Sequence, residues 1–176
     1  ELTVIRFGFV FNLYYDFMIF QVIWVIGASM VILSALIYLP ERVILIIGLL
    51  IVFGHNAFDS FQLQPGDDGF VLWAFLRQSA TFEIVPGRLL MVPYALLPWL
   101  GIPLTGFGLG TWYTRSVDAT IRKKYLFRTG LITIVLFIVL RFINLYGDPA
   151  PWSQQSDPMF TLMSFLNCTK YPVSLL

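Results

Sequence analysis

The residues from Phe17 to Pro40 carry no charge, and from Val22-Ile23-Trp24-Val25-Ile26 to Leu36-Ile37-Tyr38-Leu39 the chain is apolar on every face. A helix needs about 20 mostly apolar residues to cross the hydrocarbon core of a bilayer, so this run predicts a spanning helix over 19–39. Pro40 ends it, because proline lacks the N–H the ladder needs and biases its predecessor away from helix. The whole chain agrees: of its 176 residues 58% are hydrophobic and 12% charged, against roughly 25% charged in soluble domains. A soluble fold of this length leaves too much surface exposed to hide so much apolar side chain. An ordinary soluble enzyme, a secreted disulfide scaffold and a disordered chain are excluded. The net charge of +1 gives no sign of a nucleic-acid partner, and the single Cys168 leaves no internal disulfide or multi-cysteine metal site.

After a polar turn at Glu41-Arg42, a second span is expected over 43–58. Asp59 to Glu83 contains the turn-forming run Pro65-Gly66-Asp67-Asp68-Gly69 and belongs in water. Within it the short apolar stretch over 70–77 reads as an interfacial or re-entrant helix. A third span over 88–114 is charge-free after Arg88 and kinked by Pro93, Pro98 and Pro103. Its Gly106 and Gly110 form a small-xxx-small spacing suited to close helix packing, within the chain or between two copies in a homodimer. A span over 125–145 follows, then a polar loop from Gly147 to Pro158. Partial or truncated spans over 1–11 and 171–176 complete the expected fold class: an all-α, polytopic transmembrane helix bundle, read as an internal piece of a longer chain. By the positive-inside rule the loop holding Arg115, Arg122, Lys123, Lys124 and Arg128 faces the cytoplasm, with Glu41-Arg42 on the same side. The acidic Asp59–Glu83 region, where Arg77 is the lone basic residue, and the 147–169 region face outward.

No GxxxxGK[ST], GxSxG, HExxH or CxxC motif is present. Polar residues at membrane depth or at its edges therefore carry the chemistry. His55 is the only histidine. It is either a general base, oriented by Asp59 four residues on, or a helix-end residue bonding in the interface. Arg6 and Arg141 lie in otherwise apolar helical stretches, where a charge costs roughly 2.5–3.5 kcal/mol and needs a partner. Glu1 or Asp16 suits Arg6, and Asp148 suits Arg141. Each arginine makes a structural pair, snorkels to the nearer interface, or binds an anionic or polar substrate. The basic loop sets topology and touches anionic lipid, or docks the phosphates of a cytoplasmic donor. Lys170-Tyr171 is an interfacial anchor or faces a central cavity.

Five strings are familiar together: Glu1-Leu2-Thr3-Val4-Ile5-Arg6-Phe7-Gly8; Gly54-His55-Asn56-Ala57-Phe58-Asp59; Pro93-Tyr94-Ala95-Leu96-Leu97-Pro98-Trp99-Leu100-Gly101; Arg141-Phe142-Ile143-Asn144-Leu145-Tyr146-Gly147-Asp148-Pro149 with Pro151-Trp152; and Phe165-Leu166-Asn167-Cys168-Thr169-Lys170-Tyr171-Pro172. In this order they resemble bacterial membrane proteins related to the catalytic domain of heparan-α-glucosaminide N-acetyltransferase, within the wider transmembrane acyltransferase group. The resemblance implies a bundle of about ten helices in the cytoplasmic (inner) membrane. It implies transfer of an acetyl or other acyl group from cytoplasmic acyl-coenzyme A to a hydroxyl or amino group of an extracytoplasmic glycan, with no metal. In that family the histidine credited with catalysis lies in the first span after an Asp-x-x-Arg-Gly motif; none occurs here, so His55 does not match it. Val173 also replaces the second proline of a Lys-Tyr-Pro-Pro pattern. On this reading His55 and Asp59 are the candidate catalytic pair, and Asn56, Arg141, Asn144, Asp148, Lys170 and Tyr171 bind substrate. Arg141, Asn144 or Lys170 would stabilise the thioester oxyanion, while Arg115, Arg122, Lys123 and Lys124 hold the coenzyme. The competing reading is a transporter or channel subunit, to which broken helices and an intramembrane arginine are equally suited.

Overall fold

The computed structural model describes residues 3–4, 7–8, 11, 14–146, 148 and 150–168. In chain order they form β1 (Phe17–Ile19), α1 (Val22–Leu36), α2 (Glu41–Gly54) with a 3-10 turn over His55–Phe58, α3 (Phe70–Leu76), β2 (Ala80–Val85), β3 (Arg88–Val92), α4 (Leu96–Leu109) with a 3-10 turn over Gly110–Tyr113, α5 (Ala119–Ile143) and α6 (Pro158–Leu166). The protein is mostly helical but not all-α. Its three strands form one sheet in the order β1-β3-β2, with β1 parallel and β2 antiparallel to β3.

That sheet corrects the span expected over 88–114. Its first residues are β3, paired with β2 from Ala80↔Val92 to Val85↔Arg88. Pro86-Gly87 makes the turn, proline setting φ at the first position and Gly87 supplying φ +79° at the second. Side chains then alternate, as strand geometry requires: Leu90 and Val92 enter an apolar cluster with Phe70, Ala74 and Phe82, while Leu89 is exposed. The helix begins only at Leu96. At 14 residues α4 spans about 21 Å, against roughly 30 Å of hydrocarbon. Among the described residues two helices are long and apolar enough to cross a membrane: α2 with its 3-10 extension (Glu41–Phe58), and α5. The apolar α1 has 15 residues. Of the segments expected at the two ends, only 3–4, 7–8 and 11 lie among the described residues.

α2 and α4 pack antiparallel at backbone contact distance. A β-carbon on Gly108 would lie 2.5 Å from Leu45 Cβ, one on Gly48 2.6 Å from the Thr105 amide nitrogen, and one on Gly101 2.9 Å from Val52 Cγ2. The close approach therefore uses Gly48, Gly101 and Gly108. Gly106 and Gly110, the expected pair, meet nothing within 4 Å. Ile44, Leu100 and Leu104 form the core of this contact, with Ile32, Leu33 and Leu36 of α1 laid against it. A second core, Phe70, Ala74, Phe82, Leu90 and Val92, holds α3 to the sheet. Trp24 joins this cap to α1: its ring meets Phe20 and Phe75 edge-on at 5.7 and 5.3 Å, and its Nε1–H donates to the Tyr94 carbonyl at 3.3 Å.

This register gives the molecule two chemically distinct ends. The start of α2 lies beside the end of α4, so Arg42 shares an end with Arg115, Arg122, Lys123 and Lys124 at the start of α5. The end of α2 lies at the other end, with α3 and the sheet. α5 returns there, where the Tyr146 hydroxyl donates to the Phe53 carbonyl.

Candidate functional site

His55 and Asn56 are buried at the cap end, 3% and 6% exposed. After Gly54 the helix tightens to 3-10 geometry, which decides what these side chains can touch. In an α-helix residues four apart differ by about 40° around the axis, but at three residues per turn they differ by about 120°. Asp59 is therefore turned away from His55 and eclipses Asn56 instead. Asn56 Nδ2 donates to Asp59 Oδ2 at 2.7 Å, and the Asp59 amide donates to the Asn56 carbonyl at 3.1 Å. The expected imidazole–carboxylate pair is corrected accordingly: His55 Nδ1 lies 2.9 Å from the Ile51 carbonyl oxygen. A carbonyl can only accept, so Nδ1 carries the proton and Nε2 is the basic nitrogen of the neutral ring.

The partner that sequence reasoning missed is Arg77. It follows α3, its amide donating to the Trp73 carbonyl at 2.7 Å, and its side chain runs back to the end of α2. Nε donates to the His55 carbonyl at 3.0 Å, and Nη2 pairs with Asp59 Oδ1. Arg77 is 8% exposed. The one available signal was its position as the single basic residue among four acidic ones between Asp59 and Glu83.

Arg141 and Asp148 pair as expected, with Nη1 3.4 Å from Oδ2, and the two side chains are 2% and 1% exposed. The rest of the guanidinium is committed to the backbone. Nε donates to the Phe165 carbonyl (2.9 Å), Nη1 to Ala150 (3.1 Å), and Nη2 to Ser164 (3.2 Å) and Asn167 (2.8 Å). A guanidinium has five N–H donors, and five acceptors of this chain take them. Arg141 is thus a clamp that fastens α6 and its flanking loops to the end of α5, with no donor left for an oxyanion in this arrangement. Asn144 ends α5 at φ +58°. Its Nδ2 donates to the Trp152 carbonyl at 2.9 Å and its Oδ1 accepts from the Trp152 amide at 3.0 Å, while Trp152 Nε1 donates to the Arg141 carbonyl at 2.8 Å. Asp148 Oδ1 also accepts from the Ala150 amide at 2.8 Å. Burial pushes the nearby Cys168 thiol up, opposed by the Arg141 guanidinium and reinforced by Asp148, which keeps it in the un-nucleophilic protonated form.

The basic residues are at the opposite end. Arg115, Lys123, Lys124 and Arg128 are exposed. Arg122 is half-buried, its guanidinium carbon 5.3 Å from the centroid of the Tyr113 ring. Asp118 caps α5, its Oδ1 accepting from the Thr120 amide at 2.7 Å, which holds its carboxyl below the usual value. The candidate residues thus form two groups separated by the length of α2, with the Arg141 clamp joined to the His55 end through Tyr146. Lys170, Tyr171, Arg6 and Glu1 lie outside the described residues. Asp16 Oδ1 accepts from the Phe17 amide at 2.8 Å at the start of β1. No three metal-ligating side chains cluster among the described residues.

Neither the curated proteins nor the solved structures provide a match to the chain. The family model described as "Heparan-alpha-glucosaminide N-acetyltransferase, catalytic" matches residues 2–146, taking in His55, Asn56, Asp59, Arg77, the basic loop, Arg141 and Asn144, and stopping before Asp148 and α6. With most of its length so matched and two helices able to cross a bilayer, the chain is a membrane protein of acetyltransferase type and belongs to the family of the heparan-alpha-glucosaminide N-acetyltransferase catalytic domain.

Proposed function

We propose that the protein is a multi-pass acetyltransferase of the cytoplasmic membrane that takes an acetyl group from acyl-coenzyme A at its basic end and delivers it to an amino or hydroxyl group of a glycan at its His55 end. The observation that carries the reading is the separation of two unlike chemistries by a helix long and apolar enough to span a bilayer, within a chain of this family. At one end Arg115, Arg122, Lys123 and Lys124 offer cations to the coenzyme's phosphates. At the other, a buried imidazole with its Nδ1 proton given to the Ile51 carbonyl keeps Nε2 as the base. His55 Nε2 accepts the acceptor's N–H or O–H proton as the heteroatom attacks the acyl carbon. With its phosphates at the basic end, the coenzyme extends its pantetheine arm towards His55, so that as the C–S bond breaks the departing thiolate takes that proton from the imidazolium. Asn56 and Asp59 hold the turn beneath the acceptor, and Lys170 and Tyr171 complete its binding. The basic end faces the cytoplasm.

Transfer of labelled acetyl from acetyl-coenzyme A to a glucosamine-terminated acceptor by the intact protein tests this. General-base catalysis is worth about 10²–10⁴ in rate, so His55→Ala is expected to lower kcat by at least a hundredfold while membrane yield holds. Full activity in that variant removes His55 from the site.

A further inference from the structure

We propose that Arg77 is a positioning residue for His55, locking the 3-10 turn that presents the imidazole and making α3 and the small sheet part of the acceptor site. This rests on the reading of His55 as the acceptor-side base. The end of a helix leaves carbonyls without partners, and a 3-10 turn has poorer internal hydrogen bonds than an α-helix. The turn over His55–Phe58 therefore needs an external brace to hold one shape. Arg77 supplies it at both ends of the turn: Nε on the His55 carbonyl, Nη2 on Asp59, whose other oxygen is held by Asn56. The guanidinium's planar fork sets the spacing between those two acceptors, which a single ammonium cannot bridge in the same way. The brace is anchored in turn, since Arg77 directly follows α3, whose Phe70 and Ala74 are buried against Phe82, Leu90 and Val92 of the sheet. Any shift of α3 is carried through one rigid side chain to the backbone of His55.

The experiment measures kcat and the KM for acetyl-coenzyme A separately in the intact protein carrying Arg77→Ala, Arg77→Lys or His55→Ala. Positioning predicts that Arg77→Ala lowers kcat tenfold or more with the coenzyme KM within twofold of wild type. Arg77→Lys, which keeps the charge but not the fork, is predicted to recover part of kcat. If Arg77→Ala fails to accumulate in the membrane, Arg77→Lys alone carries the test through its reduced kcat at unchanged KM. A wild-type kcat in Arg77→Ala or in Arg77→Lys, beside an impaired His55→Ala, overturns the positioning role and leaves the site reading standing. Parallel losses in kcat, KM and yield with no recovery by lysine also overturn it, since they report a fold defect. Full activity in His55→Ala refutes the site itself, and the role of Arg77 with it.

Discussion

Alanine at Gly108 and alanine at Gly106 lie two residues apart on α4, yet the contacts of the two glycines give them opposite signs. At Gly108 the new Cβ would stand 2.5 Å from Leu45 Cβ and 2.9 Å from its Cα, where carbon pairs settle at about 3.5–4.0 Å. These are not the far end of a flexible side chain, so α2 and α4 must move apart by about 1 Å. Overpacking of that kind costs about 1–3 kcal/mol, offset by the roughly 1 kcal/mol that alanine gains over glycine in a helix. The net is a loss of up to about 2 kcal/mol. At Gly106 nothing lies within 4 Å, so only the gain of up to about 1 kcal/mol remains. The two variants should differ by the overpacking cost, and at about 2–4 °C per kcal/mol for a chain of this size Gly108→Ala should melt several degrees below Gly106→Ala. Tryptophan fluorescence during heating in detergent reads the difference. A Gly108→Ala that melts level with or above Gly106→Ala refutes the α2–α4 register and the account of both ends built on it.

Arg141→Lys replaces five donors by three, so at least two of the clamp's acceptors lose their partner. A buried acceptor left unsatisfied costs about 1–3 kcal/mol, expected as faster amide exchange through residues 150–168 and a lower melting midpoint. At Asn144 both Gly and Ala lose the bonds to Trp152, but only Ala also meets the left-handed backbone; Asn144→Gly should be the milder variant in the same melting assay. Asp118 has its carboxyl held below the usual aspartate value by the Thr120 amide. Its contribution is present above that value and lost as pH falls through the lowered one. The protection of the first-turn amides of α5, read as exchange relative to the intrinsic rate at each pH, should therefore fall in acid, and Asp118→Asn, which keeps an acceptor oxygen but does not titrate, should flatten that dependence. Alanine at Arg122, Lys123 and Lys124 together should raise the KM for acetyl-coenzyme A severalfold with kcat held, and the wild-type KM should rise with salt.

How far these features could be read from the chain depended on whether their cause was local. α1, α2 and α5 announce themselves as helices because a long apolar run with charges only towards its ends has few alternatives, although α1 stops at 15 residues, short of the span expected over 19–39. α3 does so because Asp68 and Arg77 bracket a short apolar stretch. β3 was hidden: Leu89–Val92 reads into the apolar residues after it, and in a short apolar run strand and helix periods look alike. Only Phe82 across the sheet and Phe70 beneath it decide for strand. The glycines fail for a related reason. A four-residue spacing marked Gly106 and Gly110, yet Gly101 and Gly108, seven apart, also share a helix face, and the position of α2 selects them. Asp148 was legible as the partner of Arg141 because a charge in an apolar stretch needs one nearby. The four carbonyls come from the loop at Ala150 and from the end of α6 at Ser164, Phe165 and Asn167, brought back to α5 by a return that no local pattern describes. Arg77 looked like a solvated charge in a polar loop, and its burial is set by Asp59, eighteen residues away.

Sealed vesicles test the central claim most directly. The intact protein is reconstituted with a glucosamine-terminated acceptor trapped inside and labelled acetyl-coenzyme A added outside. For molecules whose basic end faces outward, the account predicts that label accumulates on the trapped acceptor and that His55→Ala abolishes most of it. Label that stays on the donor in wild type, or that reaches only acceptor on the donor's own side, contradicts transfer between the two ends.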